Sequence, residues 1–101
     1  MMKFVVFFQD NEEFSGQRRR HMAKHLAFLE SNADKVESAG PLFQATGGAG
    51  AGGMWLVNAD GLEEVKKLIH DDPFWPTGLR KKATILEWRQ VFRDGQSLAA
   101  A

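Results

Sequence analysis

The feature that most constrains this chain is that its strand-like segments are apolar on both faces. Successive side chains of a β-strand point to opposite sides of the sheet. In the first apolar segment Phe4, Val6 and Phe8 take one side, while Val5 and Phe7 take the other. Met54 and Leu56 likewise oppose Trp55 and Val57, and Leu86 and Trp88 oppose Ile85. A sheet made of these segments has two sides to cover. Each large apolar side chain left in water forgoes roughly 1.5–3 kcal/mol. Five of them approach the whole stability of a small domain, about 5–15 kcal/mol.

The order of patterns sets the architecture. Residues 3–9 read as a strand ending at the turn signal Asp10-Asn11. Residues 16–37 read as a helix, with Met22, Leu26, Leu29, Ala33 and Val36 on one stripe. Gly40-Pro41 stops it, and residues 42–46 read as a second strand. The glycine-rich run 47–53 reads as a flexible hairpin connection, a hinge or lid, into a third strand at 54–58. Asp60 and Glu63 have capping-box spacing for a helix from Gly61 to His70, with Leu62, Val65, Leu68 and Ile69 facing inward. Pro73 ends it. An aromatic loop, 74–78, leads to a fourth strand over 82–92. Residues 1–93 thus form one domain and 94–101 a tail. Strand, helix, strand, strand, helix, strand gives an α+β fold, an antiparallel sheet with both helices on one face. The other face calls for a second copy, sheet against sheet. The tail, with only Leu98 and alanines to offer, has too little apolar surface to replace it.

Composition narrows the function. Thirteen basic residues offset thirteen acidic ones, so no net field recruits nucleic acid or an anionic membrane. There is no cysteine, which removes disulfides, thiol nucleophiles and thiolate metal sites. The apolar run at the N-terminus is too short for a signal peptide, and no stretch reaches the ~20 apolar residues of a membrane helix. A cytoplasmic location is expected.

Only three histidines are present, His21, His25 and His70. His21 and His25 are four apart on a helix, but Met22, Ala23 and Lys24 between them lack the glutamate of a zinc-hydrolase helix, and no third ligand is evident. No metal is expected. On a helical wheel His25 lies at the margin of the Met22/Leu26/Leu29 stripe, where a hydrogen-bonded boundary histidine is the plainer reading. One more turn of the second helix would aim Asp72 inward, where a carboxylate needs a partner; Asp71 and Glu87 are substitutes, whereas Asp34 is nine residues from His25 on the same helix. A carboxylate beside an imidazole fixes its tautomer, and such a pair moves protons near neutral pH. The glycine run lacks the lysine and hydroxyl residue of a phosphate loop. Arg18-Arg19-Arg20 reads as a solvated helix face. Arg80, near the aromatic loop, would attract an anionic substrate, and Phe74 and Trp75 would either wall a pocket or simply pack.

Four pieces then fall in a telling order: His25-Leu26-Ala27-Phe28-Leu29, Ala39-Gly40-Pro41-Leu42, Asp71-Asp72-Pro73-Phe74 and Ile85-Leu86-Glu87-Trp88-Arg89-Gln90-Val91-Phe92. Together they resemble the YciI-like proteins, the family built on the YCII-related domain. The resemblance implies a ferredoxin-like, dimeric α/β-barrel fold and an active site of one histidine and one aspartate, mapping to His25 and Asp72. It also implies kinship with enzymes of aromatic-compound breakdown, including a dehydrochlorinase of a chlorinated hydroxyquinol. The glycine-rich hairpin and the Phe74-Trp75-Pro76 loop depart from the family's pattern.

Three functions compete. One is a cofactor-free lyase or isomerase in which His25 is the general acid/base and Asp72 orients it. A second is a non-catalytic module that binds a small ligand or a protein partner through the same pocket. A third is a cofactor-free or haem-using oxygenase on the same broad fold.

Overall fold

The computed structural model describes residues 1–98. Its core is a four-stranded antiparallel sheet of β1 (Met2–Asp10), β2 (Val36–Phe43), β3 (Gly50–Ala59) and β4 (Arg80–Glu87), in the order β2-β3-β1-β4. Helices α1 (Gly16–Ser31) and α2 (Leu62–Asp71) pack on one face, giving the α+β, ferredoxin-like arrangement. Single 3₁₀ turns precede α1 at Glu12–Phe14 and follow α2 at Trp75–Thr77. No helix among the described residues is long and apolar enough to cross a membrane.

The alternation read in β1 sets the layers. Phe4, Val6 and Phe8 are buried with Trp55, Val57 and Ala59 of β3 beneath Val65, Leu68 and Ile69 of α2. On the opposite face Val5 pairs with Leu56 and Leu86, and Phe7 pairs with Met54 and Thr84. No helix among the described residues covers that face, and Leu86 remains 51% exposed.

Several expected boundaries shift. The first helix ends at Ser31 rather than near residue 37. Asn32 ends it: its side chain donates to the Phe28 carbonyl at 2.9 Å, and its own carbonyl accepts from Lys35 and Val36 N–H, both at 2.9 Å. Val36 therefore opens β2, buried opposite Val57, and Ala33 lies in an exposed turn. β2 runs through Gly40-Pro41 instead of starting after it. Proline is tolerated there because β2 is an edge strand, where a missing N–H costs no ladder bond.

The buried stripe of α1 also differs. Leu26 is 49% exposed, and His25, buried, occupies the middle of the face that Phe28 and Leu29 flank. At α2 the capping box is replaced by a different contact. Gly61 is the cap, and the Asp60 N–H donates to Glu64 rather than Glu63, at 3.0 Å. Lys35, 2.7 Å from Glu64, holds that carboxyl below its ordinary range together with the Asp60 N–H. Leu62, expected inward, is exposed.

The glycine run divides in two. Gly47 and Gly48 turn at φ of +92° and +112°, whereas Gly50–Gly53 belong to β3 and pair with β2 and β1. At Gly52, with φ +90°, an added Cβ would overlap the Phe8 carbonyl oxygen. The fourth strand begins at Arg80 and ends at Glu87, earlier at both ends than its pattern indicated. Beyond it, β5 (Phe92–Arg93) and β6 (Gln96–Ser97) form a small hairpin in the segment read as tail. Asp94 and Gly95 both have positive φ at its turn, as an Asp-Gly hairpin requires. The last three residues of the expected tail lie outside the described residues.

Candidate active site

Asp72 owes its position to the proline after it. Proline pushes the preceding residue out of helical geometry. Asp72 accordingly leaves α2 at φ −64°, ψ 130°, rather than continuing the helix for another turn. Its carboxylate turns beneath α1 and is 2% exposed. One oxygen, Oδ1, accepts from the Phe74 N–H at 3.1 Å and lies 2.8 Å from His25 Nδ1. The alternatives to Asp72 are engaged elsewhere. Asp71 pairs with Lys67, Glu87 pairs with Arg89, and Asp34 is exposed.

His25 is 6% exposed and lies between aromatic rings. The Phe74 ring stacks on it at 4.1 Å and 15°, and Trp55 lies 6.4 Å away at 25°. With Asp72 ionised, Nδ1 must carry the hydrogen of that contact, which leaves Nε2 of the neutral ring as the acceptor. Nε2 has no hydrogen bond within the described residues. The geometry therefore presents one free basic nitrogen on a ring fixed from three sides.

Phe74 joins this pair to a second cluster. Arg80 Cζ stands 5.2 Å from the Phe74 centroid and 4.1 Å from that of Phe8, and Arg18 Cζ is 5.7 Å from Phe74. Both guanidiniums share the Asp10 carboxylate, Arg80 Nη1 donating to Oδ1 at 3.1 Å and Arg18 Nη2 to Oδ2. Burial pushes the Arg80 guanidinium below its ordinary range, and Asp10 works against that shift. A groove of about 830 Å³ opens beside Asp10 and Arg18, lined also by Glu12, Phe43, Gly50 and Lys81; His25, Asp72, Phe74 and Arg80 are not part of its wall.

The residues singled out from the sequence thus separate. His25, Asp72, Phe74 and Arg80 converge. Trp75 does not join them; its ring meets His70 at 4.7 Å. His21 lines a shallow depression with Lys24, Pro73 and Pro76. Among the described residues no three histidine, aspartate or glutamate side chains gather as a metal site would need. Asp10 and Arg18 escaped notice. Asp10 read as a turn residue, and Arg18 turns inward while Arg19 and Arg20 remain exposed. The β1–β4 register that opposes Asp10 to Arg80 brings them together.

Comparison with known proteins agrees with this architecture. The YCII-related domain matches residues 2–89. YjpA, an uncharacterised protein of Bacillus subtilis strain 168, is 33% identical over 91 residues, covering 88% of this chain and 96% of its own. Among solved structures, a similar one is 5-chloro-2-hydroxyhydroquinone dehydrochlorinase (TftG) of Burkholderia phenoliruptrix AC1100, in complex with 2,5-dihydroxybenzoquinone. It shares 27% identity, with 87% of this chain and 94% of that one covered and a TM-score of 0.76. At3g17210 of Arabidopsis thaliana, at 12% identity, 93% and 99% coverage and a TM-score of 0.50, shares the fold alone.

Proposed function

The chain belongs to the YCII-related domain family, and from that premise we propose that it is a cofactor-free enzyme that moves a proton on a small hydroxylated aromatic or quinoid molecule. One observation carries the proposal: His25 Nδ1 is held 2.8 Å from Asp72 while Nε2 has no hydrogen bond among the described residues. In the forward step Nε2 takes a proton from the substrate, and the released electron pair either expels a leaving group or shifts to a neighbouring carbon. Asp72 orients the imidazole and stabilises the imidazolium that forms. Phe74 holds the ring from its face, and Arg80 stands where negative charge develops. The likeness to TftG, whose name specifies loss of hydrogen chloride from a chlorinated hydroxyquinol, supports the substrate class.

The experiment is incubation with 5-chloro-2-hydroxyhydroquinone and with 2,5-dihydroxybenzoquinone in deuterated water. Enzyme-dependent chloride release from the first, or ring-proton exchange in the second, is the expected result. A protein that binds both and catalyses neither is a binding module. The burial of both members of the pair favours that second reading, and it requires that His25→Gln retain binding unchanged.

The open sheet face belongs to the same proposal. Val5, Phe7, Met54, Leu56 and Leu86 fit a second copy packed sheet to sheet, and the assembly is a homodimer. Leu86→Glu is expected to shift sedimentation at low micromolar concentration from dimer to monomer, since it places a charge amid side chains each worth roughly 1.5–3 kcal/mol on burial. A wild-type protein that sediments as a compact monomer contradicts the dimer.

A further inference from the structure

We propose that Arg18 and Arg80, bridged by Asp10, form an anion-recognition subsite, and that the molecule taken there is a small planar organic anion, a carboxylate, phenolate or enolate. The inference rests on the reading of His25 and Asp72 as the reacting pair and specifies what their substrate must carry.

The Arg80 side chain is only 3% exposed. Its guanidinium lies against the Phe8 ring at 4.1 Å, near Phe74 at 5.2 Å, and beside the backbone of Gly53. Gly53 leaves room for this seat: an added Cβ would stand 3.1 Å from Arg80 Nη1 and 3.4 Å from the Gly40 carbonyl, so the guanidinium would have to give way by a few tenths of an ångström. The glycine run therefore makes room for a charge, a role that the reading of it as a hinge does not cover. Arg80 Nε is the fully enclosed side-chain polar atom that lacks a partner among the described residues. A buried unpaired donor on a cation is a liability for folding. Its retention suits a role in recognition better than a role in stability.

The pairing points the same way. Two guanidiniums share one carboxylate, Asp10; Asp72 bonds His25 and the Phe74 N–H instead, although its charge still acts on Arg80. The groove beside them is lined by Lys81 and Glu12, which offset each other, so selection comes from the geometry of the fork and not from surplus charge. Arg18, about a quarter exposed, uses Nη2 on Asp10 and lines the groove. Such a planar fork suits the two oxygens of a carboxylate or the adjacent oxygens of a hydroxyquinone. The Phe74 ring, which touches both His25 and the arginines, places an anion bound there next to the proton acceptor. A purely structural role for the cluster, pinning the end of β1 to α1 and β4, gives no preference for an anion.

Calorimetric titration of the full chain with benzoate and with benzamide separates the two. The shapes are alike and only one probe is charged. Benzoate is expected to bind at least about tenfold more tightly, as charge-assisted hydrogen bonds allow. Arg18→Gln should remove that preference by weakening benzoate and sparing benzamide, and Arg18→Lys, which keeps the charge but not the fork, should fall between. Thermal melts check that both variants are folded. Equal affinity for the two probes, no benzoate binding, or a preference untouched by Arg18→Gln overturns the subsite. The readout is binding, so His25→Gln should keep the benzoate preference even where it abolishes turnover. Loss of the subsite and loss of the proposed chemistry are thereby told apart.

Discussion

Replacing His25 is expected to lower turnover by about 10²- to 10⁴-fold, the usual contribution of a positioned general base. The choice of replacement matters. His25→Ala leaves the Asp72 carboxylate buried with the Phe74 N–H as its remaining donor, and removing one partner of a buried pair costs about 3–5 kcal/mol. His25→Gln still offers an amide N–H to Asp72 but no basic nitrogen, so it separates loss of the base from loss of the fold. Asp72→Asn tests the other half of the pair. Asp72 Oδ1 accepts from both His25 Nδ1 and the Phe74 N–H, so an asparagine keeps its carbonyl oxygen there and the tautomer with it; what it loses is the negative charge that stabilises the imidazolium. A smaller loss than that of His25→Gln is expected. The measurement is kcat/KM for whichever quinol or quinone the wild type turns over. Activity retained in both His25→Gln and Asp72→Asn removes the mechanism.

Gly52→Ala is expected to destabilise the fold by about 3 kcal/mol or more, far beyond the ordinary effect of one added methyl group. Its φ of +90° is strained for any side chain, and the new Cβ would run into the Phe8 carbonyl oxygen. That carbonyl has little room to retreat. Phe8 opposes Gly53 on one side and Ala83 on the other, and its ring packs edge-on against Trp55 at 5.0 Å and beneath the Arg80 guanidinium. Gly50→Ala is the control. Its added Cβ meets neighbours at ordinary contact, 3.8 Å, and the change should stay within about 0.5 kcal/mol. Urea unfolding of the three proteins, compared at constant m-value, reads the difference. Equal midpoints for Gly52→Ala and wild type would show that β1 and β3 do not approach this closely.

What could be read from the sequence was whatever depends on local periodicity. Phe4, Val6 and Phe8 alternate strictly and form one side of the core; Val65, Leu68 and Ile69 follow the helical period and form the other. The chain order of these patterns is enough for a sheet with one open face. What failed depended on neighbours distant in sequence. Gly40-Pro41 ends a helix in most contexts, and only the edge position of β2 lets it lie within a strand. Val36 fits the helical stripe as well as it fits the strand until the Asn32 turn decides between them.

The site divides in the same way. The wheel placed His25 at a margin because it ranks a histidine below a leucine. In the folded chain Asp72 satisfies the imidazole, so His25 takes the centre of the face and Leu26 is turned out. Asp10 and Arg18 carry no local signal, because their meeting with Arg80 exists only once β1 and β4 are in register. The Asp94-Gly95 hairpin, by contrast, was a readable turn signal.

The account stands on one atom, the free Nε2 of His25. Nitrogen-15 NMR of the imidazole in the unliganded protein near neutral pH observes it directly. The expected result is a ring with its hydrogen on Nδ1 and Nε2 bare. A wild-type ring that carries its hydrogen on Nε2 would contradict the account, because the nitrogen facing substrate would have no lone pair to accept a proton.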